Sequence, residues 1–387
     1  MRFVLAPVFL GALLAVFVAQ SSAASTPPPC SSGGLDSAAI DRINALGWDL
    51  IHEFTGKSAG RRLLVAPAGA WITYATMFSA DPQQDADELR EYMAILGYSD
   101  AATARRRVGA DVASIRHSLS ADGVEAAQRL FIDRNGKPPH LTQAPIFSSP
   151  CFEYDQTALE EWSSAHTHAL VASKFHGVAG GFLSAIGSEA MFFDGKRSSG
   201  AGSTQTVGSL ILTTFEGGAH SFQSYSVQSY FENNQGVQGA EILLSGSALT
   251  AYLMTAPDNK TMSMFESGLD AKGWRDMAKR FEPRYGAVAA TLDLQTVLYY
   301  TDFKAPTRIL GSFGGLLSVL SQDGHAVLDN DAMKFAVVTN FQISDPPCCA
   351  DAMPTTSPSN PVFMTTVAPM LLVIQDRSGL VLFAVAT

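Results

Sequence analysis

The chain has 387 residues, 47% hydrophobic and 16% charged, with a formal net charge of −10. That composition supports a large apolar core and excludes a disordered or low-complexity chain. The acidic balance argues against nucleic acid and anionic membrane surfaces as partners.

Met1-Arg2 supplies one positive charge, residues 3–19 are almost all apolar, and Gln20-Ser21-Ser22-Ala23-Ala24 offers small residues for cleavage. Residues 1–24 therefore read as a secretory signal peptide, which predicts a secreted, extracellular protein. The apolar run is short and contains Pro7, so a membrane span is not expected there, and no other segment is long enough. Residues 25–35, rich in Pro, Ser and Gly, form a flexible lead-in.

Ile40, Ile43, Gly47, Leu50, Ile51 and Phe54 then recur at helical spacing behind Asp36 and Ser37 as N-cap candidates. Leu63-Leu64-Val65 predicts a strand, and Pro67 opens a helix through Phe78. Helices follow over 84–96, 110–119 and 157–174, with strands at 126–132 and 185–193. From residue 207 the pattern is mostly β: 207–215, 221–231, 238–245, 248–256, 286–294, 334–342 and 370–386, interrupted by one helix over 269–281. Asp376-Arg377-Ser378-Gly379 is a hairpin turn in the last of these. Helices first, strands later, and no linker between them predict one α+β domain over 36–387.

The four cysteines, Cys30, Cys151, Cys348 and Cys349, are too few for a disulfide scaffold. The adjacent pair could bridge to the other two or stay free. Zinc is not expected, because neighbouring cysteines lack ligand spacing. Asn259-Lys260-Thr261 is a glycosylation sequon and predicts a surface position for Asn259.

Gly56-Lys57-Ser58-Ala59-Gly60 has the form G-x-S-x-G, but a nucleophile elbow needs a strand before it and a helix after it. Here a helix precedes and a strand follows. His166 and His168, two apart on a predicted helix, point to different faces and do not suit one metal. Arg105-Arg106-Arg107 could hold a sulfated polysaccharide, but a solvated charge run is the commoner explanation and the net charge opposes the first. Neither an enzyme nor a cofactor is expected.

Several segments in order resemble the serpin family. Arg62–Trp71 is similar to its first strand-to-helix segment. Trp162, Thr167 and Val171 resemble the pattern of the helix crossing its main sheet. Ala190–Lys196, Glu282-Pro283-Arg284, Lys334–Thr339 and Ala368–Phe383 resemble later strands and the closing hairpin. The resemblance spans about 36–386. It implies three β-sheets, eight or nine helices and an exposed reactive-centre loop at about 344–362. It also implies inhibition of an endopeptidase, in which the cut loop inserts into the main sheet as a new central strand.

By ungapped placement the hinge of that loop is Ser344, Asp345, Pro346 and Pro347, and the scissile region holds Ala352, Met353, Thr355, Thr356 and Ser357. Prolines in a central strand remove ladder donors, so this hinge points to a non-inhibitory member: a carrier, chaperone, storage protein or precursor. The alternative is the family-typical inhibitor. Phe335 to Asp376 holds no Lys or Arg, so its target would be a chymotrypsin- or elastase-like protease without basic-site preference. The family's sheet-opening positions carry unusual residues here: Ala66, Gly69, Glu189, Arg197 and Lys334. The remaining expectations are a monomer and, for a non-inhibitory member, a small ligand or client protein as partner.

Overall fold

The computed structural model describes residues 36–56, 63–80, 84–132, 152–153, 156–174, 182–197, 208–209, 226–245, 247–282, 301–304, 307–313, 316–328, 332–345 and 369–386. All fall within one compact unit, Gly34–Thr387.

The N-terminal part is helical. Helix α1 (Ser37–Gly56) buries Ile40, Ile43, Leu50 and Ile51 on one stripe. Strand β1 (Leu63–Val65) leads into α2 (Pro67–Ala80), in which every residue but Ser79 is buried. A helix apolar all round belongs inside a protein, and α2 lies at its centre. Helix α3 (Ala86–Leu96) starts on a capping box between Asp85 and Glu88 and ends on left-handed Gly97. Helix α4 (Ala101–Ala121) is capped by Asp100 and runs well beyond the predicted 110–119.

Strands β2 (Val124–Ile132) and β3 (Phe152–Glu153) come next, then α5 (Gln156–His166). Helix α5 stops short of the predicted 174 because Thr167 leaves the ladder. Its hydroxyl donates to the Ser163 carbonyl and accepts from the Val171 amide, while His168 and Ala169 take positive φ.

The remainder is mostly β. The strands are β4 (Phe182–Arg197), β5 (Gly208–Ser209), β6 (Ser226–Glu232), β7 (Gln238–Ser245) and β8 (Thr250–Thr255). Two helices follow, α6 (Asn259–Ser267) and α7 (Ala271–Ala278), capped by Asp258 and Asp270. Then come β9 (Thr301–Lys304), β10 (Thr307–Phe313), β11 (Leu316–Leu328), β12 (Ala332–Asp345), β13 (Met370–Gln375) and β14 (Val381–Ala386).

Seven helices and two sheets lie among the described residues. One sheet runs β1-β14-β13-β8-β7-β6-β5. The other runs β3-β2-β4-β12-β11, with β9 and β10 both on the outer side of β11. They meet where Lys196 and Arg197 of β4 pair with Ser245 and Leu244 of β7. The second sheet is covered on one face by α2 and α4. Its other face packs Phe131, Ile186, Ala190, Phe192, Ala336 and Val338 beneath Trp162 of α5.

Strands β9 to β11 and helix α6 are absent from the sequence-based reading. In β11 the alternation is blurred because Ser318, Ser321 and Gln322 are buried polar residues, and Gly324 sits where Leu64 packs against the backbone. The strand expected at 286–294 lies outside the described residues.

Candidate functional site

Residues that pair directly across neighbouring strands put their side chains on the same face. In the second sheet one such rung is Gln128 of β2, Glu189 of β4, Thr339 of β12 and Gln322 of β11. All four are buried in the face beneath α2 and α4. A polar row of this kind must be satisfied internally.

At one end Arg116 of α4 reaches down, its guanidinium donating to Gln128 Oε1 and to Glu189 Oε2, the latter at 3.1 Å. Burial pushes the Glu189 carboxyl up to about 7, against the downward pull of Arg116. At the other end the Gln322 amide pairs with the backbone of Ala66 like a strand neighbour: Nε2 donates to the carbonyl at 3.1 Å and Oε1 accepts from the amide at 3.2 Å. Gln322 Nε2 also donates to Thr339 Oγ1 at 2.8 Å. Gly69, the first-turn residue of α2, closes the row. A Cβ there would sit 3.1 Å from both Thr339 Oγ1 and Met191 Sδ.

The opposite face of β12 is tied as well. Asn340 accepts from Ser188 Oγ at 2.7 Å and donates to Ser173 Oγ at 2.8 Å, and Ser173 donates to Asp323 Oδ2 at 2.6 Å. Thus β12 is bonded side chain to side chain to a strand on each flank, and to the segment after α5.

The direction of β12 matters most. Only residues 329–331 separate it from β11, and Leu328 pairs with Met333, so the two form a hairpin. Yet β12 also pairs antiparallel with β4 along its whole length, from Ala332–Lys196 to Asp345–Phe182. Strand β12 is thus a central strand, antiparallel to both of its neighbours.

Of the sequence-derived positions, Ala66, Gly69 and Glu189 gather at this row. Lys334 lies two rungs from the sheet's end, its Nζ 3.4 Å from Asp194 Oδ2 on the paired strand. Arg197 is the last residue of β4 and makes the bridge to β7. Ser344 and Asp345 belong to β12, beyond a register shift after Ile343. Pro346, Pro347, Ala352, Met353, Thr355, Thr356 and Ser357 lie outside the described residues, as do Cys30, Cys151, Cys348 and Cys349 and the segment 1–35. Asn259 is exposed at the start of α6. Arg107 pairs with Asp36, Arg105 donates to Gln84, and Arg106 donates to Thr103, so each of the three arginines faces its own chain. Missed from sequence were Arg116, Gln128, Gln322 and Thr339, which become a group only through the register.

A separate cleft of about 340 Å³ opens between α1, α7 and the β13–β14 turn. Tyr252 and Trp274 line it, with Arg275, Lys279 and Arg377 alongside. Trp274 Nε1 donates to Gln375 Oε1 at 2.8 Å.

No protein-family model matches the sequence, and no curated protein is similar to it in sequence. Solved structures are similar in fold. A loop C-sheet serpin polymer aligns with TM-score 0.63 at 13% identity, covering 92% of this chain and 97% of that one. The thermophilic serpin tengpin in its latent state aligns with TM-score 0.60 at 12% identity, covering 91% and 96%. A loop-inserted, cleaved ovalbumin mutant aligns with TM-score 0.58 at 10% identity, covering 92% and 99%. At these identities the likeness establishes the fold alone: the chain has the serpin fold, in a divergent sequence.

Proposed function

We propose that this serpin-fold protein is secreted and non-inhibitory, and that Ala332–Asp345 is the segment a serpin inserts from its reactive loop, built here as a permanent strand. The observation that carries the reading is the face β12 turns towards α2. Met333, Phe335, Val337 and Phe341 are each at most 1% exposed. Burying a large apolar side chain is worth about 1.5–3 kcal/mol, so these four together contribute on the order of 6–12 kcal/mol. That equals the whole net stability of a typical domain, roughly 5–15 kcal/mol. A form with this segment exposed would forfeit it. On this reading insertion needs no cut, and no strain is left to spend on a protease.

This reading moves the insertion segment about twelve residues upstream of the ungapped placement at 344–362, an offset on the order of one strand length. Pro346 and Pro347 then follow the strand instead of interrupting it, where their missing donors do no harm. The similarity in fold to a latent serpin and to a loop-inserted ovalbumin mutant supports the placement.

The test is thermal unfolding of the mature protein before and after one cut within 346–368, with chymotrypsin- and elastase-like proteases run alongside. Non-inhibition predicts the same melting temperature after cutting and no protease adduct surviving denaturant. A large rise with a stable adduct would establish the alternative, an inhibitor of endopeptidases without basic-site preference. That alternative is favoured by one observation: the sheet accepts a strand in this position at all.

Among non-inhibitory roles, the cleft beside Trp274 favours a carrier of a small ligand over a storage or precursor role. A hydrolase is not proposed, because α1 precedes and β1 follows Gly56–Gly60, the reverse of a nucleophile elbow. Among the described residues no helix is long and apolar enough to cross a membrane.

A further inference from the structure

We propose that Glu189 and Arg116 form a protonation-sensitive latch on β12, the strand parting from β4 more readily once the Glu189 carboxyl is ionised. This rests on the reading of β12 as a built-in strand and adds its regulation.

Glu189 is fully buried in the strand beside β12, on the rung of Thr339. Its Oε2 accepts from Arg116, while Oε1 has no hydrogen-bond partner among the described residues. Arg116 is divided between Glu189 and Gln128. Its outer side faces an open groove of about 540 Å³, also lined by Ser120, Gly123, Glu125 and His166. Water thus reaches Arg116 and not Glu189.

A buried carboxylate with half its shell empty is costly to ionise. The charge facing it is Arg116 from α4. Its direct neighbours on the rung are Gln128 of β2 and Thr339 of β12, and the rung continues to Gln322 of β11, all uncharged. Glu125 and His166 lie beyond Arg116, across the groove, and burial holds His166 below its ordinary range. Drawing β12 away from β4 removes one wall of the Glu189 pocket and admits water to Oε1. Ionisation then favours the parted form, and protonation favours the closed one. The raised titration of Glu189, near neutrality, agrees with this geometry.

The experiment is hydrogen exchange of peptides covering 332–345 in the mature chain from pH 5 to 8, corrected for intrinsic exchange. The opening equilibrium is expected to rise by up to about two orders of magnitude across that range. Glu189→Gln should remove most of the rise, and Arg116→Gln should move its midpoint to higher pH. A flat wild-type profile overturns the proposal. So does an unchanged profile in Glu189→Gln, or one moved only by His166→Gln. Failure of the non-inhibitory reading is read separately, from a rise in melting temperature on cutting with a protease adduct that survives denaturant.

Discussion

Phe335 of β12 stacks on Phe383 of β14, ring centroids 5.3 Å apart and planes 21° from parallel. The contact joins β12 to the other sheet and fixes it as core. Phe335→Ala is therefore expected to cost about 3–5 kcal/mol, as for a buried phenylalanine with a cavity left behind. Urea unfolding of both proteins measures it. A cost under about 0.5 kcal/mol, the surface level, would place Phe335 in an exposed loop and remove the basis of the non-inhibitory reading.

Gln322 performs a backbone's task with a side chain. Its amide satisfies both the N–H and the C=O of Ala66, and no other side chain of the row reaches them. Gln322→Ala leaves the buried Ala66 N–H without its acceptor and takes a donor from Thr339, while the Ala66 carbonyl keeps the Ala70 N–H, and it should destabilise by about 1–3 kcal/mol. Gln322→Glu, isosteric but unable to donate from the second position, should be at least as damaging above neutral pH. Equal stability of all three proteins would mean that water takes over the role.

The sequence made the elements of the first half legible, because their apolar stripes face one core and their caps are conventional: Asp36 before α1, Asp85 with Glu88 at α3. The serpin-type segments were legible for the same reason, since Leu63–Trp71, Ala190–Phe193, Met370–Ile374 and Leu380–Phe383 are mostly apolar. The site was only half legible. Ala66, Gly69 and Glu189 stood out as departures from a pattern, but Arg116, Gln128, Gln322 and Thr339 carry no local signal. They meet only because β2, β4, β12 and β11 pair in one register. Buried polar residues also kept β11 from standing out in the sequence.

Gly69 and Thr339 compete for the same space. A Cβ at 69 would press on Thr339 Oγ1 and Met191 Sδ at 3.1 Å, tighter than ordinary packing. Gly69→Ser, which places a small side chain in that space, should cost about 1–3 kcal/mol. Thr339→Ala should recover part of that loss in the double variant, a coupling that marks direct contact. Strict additivity in a double-mutant cycle would show that the two positions do not touch, and that β12 sits elsewhere.

Glu266, at the end of α6, is 5% exposed, and burial pushes its carboxyl up to about 7. Its Oε1 has no hydrogen-bond partner among the described residues. The sign follows from which state holds the proton. Between the ordinary value of 4.5 and about 7 the folded chain stays protonated there while the unfolded chain ionises. Stability must then fall as pH rises through that window, by on the order of 3 kcal/mol from this group, and level off above it. Glu189 acts in the same direction over the same window. The lowered carboxyls of Asp36, Asp100 and Asp258 act oppositely, losing their contribution only below about pH 4. Urea unfolding at intervals from pH 4.5 to 8 should show the decline, and Glu266→Gln should remove its share while leaving the Glu189 share in place. Stability that instead climbs from pH 4.5 to 7, or a decline untouched by Glu266→Gln, would show that Glu266 is hydrated in the folded protein.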